Sequence, residues 1–481
     1  MSGKTSVARF PVRKSLAFDR AAPETIQAVR HEELGDTLMT TTRRNLLVHG
    51  SVVGAGMIVG NLPGIMALAQ GQPGEAIALF QDAAHDQPTF ALAHYYLGLA
   101  LVANNNLPSA KIALSEAIKL TPHLVEAHLA LIHLHMHARN FDQAIEAAQS
   151  FLTLQPDNPV ASLAVGEAYM GQKDIVKAIT AFQTAIAQAP KDAKNHYYLG
   201  LAYLAQHKEP EALAAFEQAL ALNPHALEPL VQIVALFNRA LDKALQRVQT
   251  QLQASPQNAL MYTLLGQLYS RQQNDTEAEA AFKKALELDE GTVRAHLDLA
   301  SLYARKKAYD QALTLYEALL KRNPKLVPGY TSAGMIYDAK GDRQKANEYY
   351  QKALKIDPKF VPALNNLAWN YAEYGSNLTT ALTYARTAQE AEPNNPEVAD
   401  TLGWIYFRTK DYIKAVDLLK ESAEKIPDNP VVRYHLGMAC YKKGDVPCAK
   451  EALQQALRLS RDFPEAEEAK QTLVEIGLAS N

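Results

Sequence analysis

The chain has 481 residues, with 48 Lys and Arg against 51 Asp and Glu and a formal net charge of −3, which excludes a nucleic-acid binder by charge and an acidic disordered chain. Apolar residues make up 48% and charged residues 21%, as in an ordinary globular fold, and 2 Cys exclude a disulfide scaffold and any four-Cys metal site. Tyr is frequent, 22 residues against 13 Phe and 2 Trp, an imbalance that points to a repeated unit. Residues 1–38 lack helical repeat character. They hold Lys4, Arg9, Arg13, Lys14 and Arg20 together with Pro11 and Pro23, and are expected to be disordered.

Residues 39–69 open with Met39 and continue through Thr42-Arg43-Arg44-Asn45-Leu46-Leu47. An apolar, Gly-rich run from Leu46 to Leu68 follows and ends in Ala67-Leu68-Ala69. The segment resembles a twin-arginine export signal, with Arg43 and Arg44 as the pair and Ala67 and Ala69 as the small residues of a signal-peptidase site. The resemblance implies a periplasmic protein whose translation starts at Met39 and whose mature chain starts at Gln70. Two alternatives remain. Residues 57–70 also fall in register as the first helix of a cytoplasmic repeat protein, a poor helix because Pro63 lies within it. They also suit an uncleaved membrane anchor, weakened by His49, Asn61 and Pro63.

From here the sequence repeats. Pro occurs at 88, 122, 156, 190 and 224, a constant spacing of 34, then at 256, 324, 358, 393 and 427; Glu290 stands where another is due. With this Pro as position 32, twelve units span residues 57–463. Position 8 is small (Gly98, Gly166, Gly200, Gly334, Gly403), position 11 is often Tyr (Tyr203, Tyr303, Tyr337, Tyr406), and position 20 is Ala (Ala110, Ala178, Ala312, Ala449). Position 24 is large (Phe80, Phe182, Phe216, Tyr350). Apolar residues at 4, 7, 8 and 11, and again at 20, 24 and 27, have helical spacing, with turns such as Lys340-Gly341-Asp342 between them. Pro stops each second helix. The small residue at 8 is expected to let helix A approach the Ala at 20, and the Tyr at 11 to fill space towards the following unit.

The order small–Tyr–Ala–large–Pro resembles the tetratricopeptide repeat (TPR) family. The resemblance implies an all-α, right-handed superhelical solenoid of about twelve helix-turn-helix repeats. One unit cannot bury its apolar face alone, so neighbours must stack. The sixth unit is two residues short, and a tightened turn is expected there. Residues 464–481 read as a capping helix and tail, with Pro464 at the helix start and Gly477 at its end.

In this family the concave wall comes mainly from helix A, near positions 2, 5, 9 and 12. Carried onto this register, it holds Met335, Trp369, Trp404, Phe407, Tyr434, Met438 and Tyr441, an aromatic, Met-rich groove suited to a partner helix or apolar peptide. A second apolar wall includes Tyr95, Leu99, Tyr197 and Leu201. The alternative is that these residues simply pack. Asn365 has no basic neighbours for a carboxylate clamp, and Asn366 is alone where sugar-transferring TPR enzymes carry an Asn ladder.

His133 and His137, at i and i+4 near Glu167, are weak candidates for a metal pair; the plainer reading has His135 packing in place of Tyr and the other histidines solvated. Cys440 and Cys448 lie on the paired helices of the last unit and either form a disulfide or stand too far apart. No phosphate loop, zinc-protease pattern or nucleophile elbow occurs. The reading is a protein–protein interaction scaffold or assembly adaptor with no cofactor, no catalysis and no nucleic-acid partner, touching a membrane only through its N-terminal segment. The runs Leu364–Trp369 and Ala399–Trp404 resemble exported bacterial TPR proteins of envelope and polysaccharide assembly. The rival readings are a cytoplasmic regulatory adaptor and a metal-dependent enzyme.

Overall fold

The computed structural model describes residues 62–479 apart from 238, 239 and 376; the expectations for residues 1–61, Arg43 and Arg44 included, lie outside the described residues. Regular structure among the described residues is helical throughout. Helix-turn-helix pairs run from Leu62–Ala69 with Pro73–Asp86 to Pro430–Lys443 with Val446–Leu459, and a single helix, Ala466–Ala479, follows. None of the described helices is long and apolar enough to cross a membrane. The chain divides into two compact units, one ending at Leu268 and the other taking in Tyr269 onward. Inside each unit, helix A packs on its own helix B, and helix B on the next helix A.

Local chemistry sets each boundary. Helix B ends two residues before its Pro, as at Leu120 before Pro122 and Lys425 before Pro427, because the residue preceding Pro is pushed out of the helical region. Between helices A and B, position 15 takes a left-handed conformation: Gly341 (φ 84°) and Gly444 (φ 88°), but also Lys173 (φ 65°), Lys307 (φ 60°) and Lys410 (φ 65°). The next residue caps helix B, with the side chains of Asp174, Asp342, Asp411 and Asp445 each accepting a backbone N–H three residues on.

Packing between paired helices differs from the sequence expectation in partner. The space that position 8 leaves is filled by the large residue at 24, more than by the Ala at 20. A Cβ on Gly166 would stand 2.3 Å from Phe182, on Gly200 2.5 Å from Phe216, and on Gly437 2.6 Å from Leu453. The Tyr at 11 reaches back, not forward. In the unit from Tyr269 onward, Tyr303 donates to Glu279 Oε1 at 3.0 Å and Tyr337 to Glu317 at 3.4 Å. Tyr371 accepts from Gln351 at 3.2 Å and Tyr406 from Arg386 at 2.9 Å. Each partner stands on helix B of the preceding repeat.

The ends of the array and its short unit bear on further boundary expectations. Pro63 is the second residue of the described helix Leu62–Ala69. Its Ala67 and Leu68 are buried in one apolar cluster with Phe80. Helix Leu227–Leu236 in the unit with the two-residue deletion has 10 residues, against 13 in Ala193–Ala205; the expected tightened turn falls on residues 238 and 239, outside the described residues. The final helix starts at Ala466, after a turn holding Pro464, and runs through Gly477.

Candidate partner-binding wall

In the unit from Tyr269 onward, the A helices Val361–Glu373, Pro396–Arg408 and Pro430–Lys443 pack side by side. Trp404 sits on the middle one. Phe407 stacks on it with centroids 4.5 Å apart, and His435 at 4.1 Å. Its Nε1 donates to Glu373 Oε1 at 2.8 Å, and the same oxygen accepts from Arg408. Below the rings, His435 Nδ1 donates to Asp400 Oδ1 at 2.7 Å. Asn365 Oδ1, on helix Val361–Glu373, and Thr401 Oγ1, next to Asp400, are buried without a hydrogen-bond partner.

The sequence put Trp404, Tyr434 and Met438 on an open groove; they are only 8%, 2% and 5% exposed. The last helix and the turn before it account for two of them. Thr472 donates to Met438 Sδ at 3.6 Å, and Phe463 packs 6.0 Å from Tyr434. Burial raises the Tyr434 hydroxyl well above its ordinary range, and Glu468, Glu465 and Glu373 push the same way. Met335, Trp369, Phe407 and Tyr441 keep part of their surface open. The wall is therefore two layers deep, an open row over a packed row.

In the unit ending at Leu268, Tyr95 and Leu99 are buried, while Tyr197 and Leu201 are half-buried. The Tyr95 and Tyr96 rings lie 5.0 Å apart, and those of Tyr197 and Tyr198 5.5 Å apart. Between these pairs in the chain, burial pushes the half-buried Glu167 carboxyl up to about 7, while Lys194 and a hydrogen bond from Tyr198 pull it down. Burial lowers His133, and Lys194 adds to the effect. His137 is exposed. Among the described residues no third ligating group joins His133 and His137; the one such trio is Cys440, Asp445 and Cys448. There the sulfurs of Cys440 and Cys448 are bonded to each other across 5.8 Å between Cα atoms, and Asp445 caps Cys448 N.

A histidine role escaped the sequence reading. His94, His128 and His196, all at position 4, bond the carbonyls of Pro88, Pro122 and Pro190 at 3.0, 2.9 and 3.1 Å. His128 is thus buried, not solvated, and stacks 4.4 Å from Phe151. The signal was present in the sequence, since all three keep the repeat spacing.

Family models described as tetratricopeptide repeat match residues 64–124, 129–193, 233–292 and 263–327 in one case, 327–360 in another and 193–226 in a third. Residues 375–456 match a model described as anaphase-promoting complex, cyclosome, subunit 3. No curated protein is similar in sequence. Similar solved structures include the APC/C hetero-tetramer Cut9–Hcn1, 15% identical over 92% of this chain and 98% of that one, TM-score 0.46. Yeast Tom70 is 16% identical over 88% and 96%, TM-score 0.42. MamA of Desulfovibrio magneticus RS-1 is 21% identical over 35% and 96%, TM-score 0.31. The repeat models together take in more than half of the residues, in phase with the hairpins described above, and the chain belongs to the tetratricopeptide repeat family.

Proposed function

We propose that the chain is an exported scaffold that holds partner proteins along its helix-A walls, without catalysis of its own. The observation that carries this reading is the two-layered wall: Trp369, Phe407 and Tyr441 stay partly open in one cluster with a buried, bonded layer of Trp404, Asp400 and His435. A rigid aromatic row costs little ordering on binding. The match of residues 375–456 to a subunit of a complex also supports an assembly role. Exchanging Trp369 and Phe407 for Ala should keep helicity by circular dichroism and abolish capture of partners from the native cells. Undiminished capture would overturn the reading.

Export rests on Arg43 and Arg44 with the apolar run behind them, and on the Cys440–Cys448 bond, which belongs in an oxidising compartment such as the periplasm. One observation favours a cytoplasmic adaptor instead: Ala67 and Leu68, in the expected cleavage site, are buried in the first hairpin. N-terminal sequencing from fractionated cells separates the two. A chain starting at Gln70 outside the cytoplasm fits export; an uncut chain in the cytoplasm fits the adaptor.

A further inference from the structure

In three hairpins, positions 11, 16 and 19 together hold one cation. Asp174, Asp342 and Asp411 at position 16 each cap helix B through Oδ1, accepting the N–H of the Lys at position 19. Their second oxygen holds that Lys side chain. Lys177 Nζ stands 2.8 Å from Asp174 Oδ2, Lys345 Nζ 3.6 Å from Asp342 Oδ2, and Lys414 Nζ 2.7 Å from Asp411 Oδ2. The same ammonium groups lie 5.3, 5.3 and 5.2 Å over the rings of Tyr169, Tyr337 and Tyr406 at position 11. The last hairpin keeps the Asp and changes both companions. Cys440 stands in the place of the Tyr and Cys448 in the place of the Lys, so position 19 supplies no cation there. The backbone still holds the trio together: Asp445 Oδ1 accepts the Cys448 N–H at 3.2 Å, and Asp445 N donates to the Cys440 carbonyl at 2.9 Å. Both sulfurs and a carboxylate oxygen lie within 4.8 Å of one another.

We infer that the last hairpin, when its thiols are reduced, binds a thiophilic divalent cation of the zinc type through Cys440, Cys448 and Asp445, where its sister hairpins seat a Lys ammonium. Two thiolates and a carboxylate are donors that zinc accepts, with water in the fourth position, whereas calcium and magnesium take oxygen ligands throughout. The Cys440–Cys448 bond is the oxidised form of the same site. A dithiol reductant opens it by exchange: the reductant's sulfurs become a disulfide, the protein gains two thiols, and their protons leave as the cation binds. A reducing cytoplasm thus gives the hairpin its cation, and an oxidising compartment closes it as the disulfide.

The test uses the full chain, reduced with dithiothreitol and freed of it under nitrogen, then titrated with cobalt(II). Cobalt bonded to thiolate gives a near-ultraviolet charge-transfer band, which should saturate at about one cobalt per chain and bleach when zinc displaces it. Asp445→Asn keeps the helix cap, because Asn accepts the same N–H, and should weaken cobalt about tenfold or more. Cys440→Tyr with Cys448→Lys restores the residues of the sister hairpins and should give no band, with helicity by circular dichroism intact. The oxidised chain should also give none. Absence of the band from the reduced chain at millimolar cobalt overturns the inference. So does an affinity that Asp445→Asn leaves unchanged, or a band in the double variant or the oxidised chain.

Discussion

Asp400 and His435 meet at 2.7 Å between neighbouring A helices, with each side chain only 2% exposed, and Trp404 stacks on the imidazole. Removing one partner leaves the other's polar atom in a dry site. Asp400→Ala should therefore cost about 3 kcal/mol, read from urea unfolding followed by tryptophan emission. An apolar double exchange, Asp400→Leu with His435→Leu, should cost less than the sum of the single changes.

The Cys440–Cys448 bond closes a short loop, at a sequence separation of 8, between the helices of the last hairpin. Reduction, or Cys440→Ser with Cys448→Ser, should lower stability by about 2–3 kcal/mol through the freed loop. Thiol counting under denaturing conditions checks the bond directly. Unreacted chain is expected before reductant and two thiols after it.

Position 15 of most turns needs a positive φ, and several repeats place Lys there. A Cβ in that conformation costs about 1–2 kcal/mol, partly offset by the entropy that Gly loses on folding. Lys410→Gly should thus raise stability by about 0.5–1 kcal/mol, and Gly341→Ala should lower it by a similar amount. Thermal melts of the two variants should move in opposite directions.

Glu167 gives a pH signature. Its folded carboxyl is raised from 4.5 to about 7 by burial, so the folded chain holds a proton that the unfolded chain releases first. Its contribution favours folding at low pH, falls as pH rises from about 4.5 to about 7, and is flat beyond. Glu167→Gln should leave the melting temperature unchanged near pH 4 and raise it at pH 8. An increase of equal size at both values would refute the assignment.

The array was legible because Pro, Gly and Ala act locally. A Pro every 34 residues ends helix B wherever it stands, and Gly at position 8 leaves room for one large side chain whatever lies further off. What escaped was set by contacts between repeats. Spacing places Trp404 and Tyr434 on the groove side, but only the neighbouring His435 and Phe463 decide that they are covered. The backward reach of Tyr303 and Tyr406 depends on side-chain direction rather than register. His128 was misread because its acceptor, the Pro122 carbonyl, belongs to backbone that carries no residue code.

Those tyrosine hydroxyls give the stack a direction. As a ribosome extends the chain from Tyr269 onward, each emerging Tyr meets a bonding partner on a hairpin already made, as Tyr337 meets Glu317 and Tyr406 meets Arg386. Assembly of these repeats can proceed in step with synthesis, and a chain stopped between them leaves none of these four hydroxyls waiting for a later hairpin.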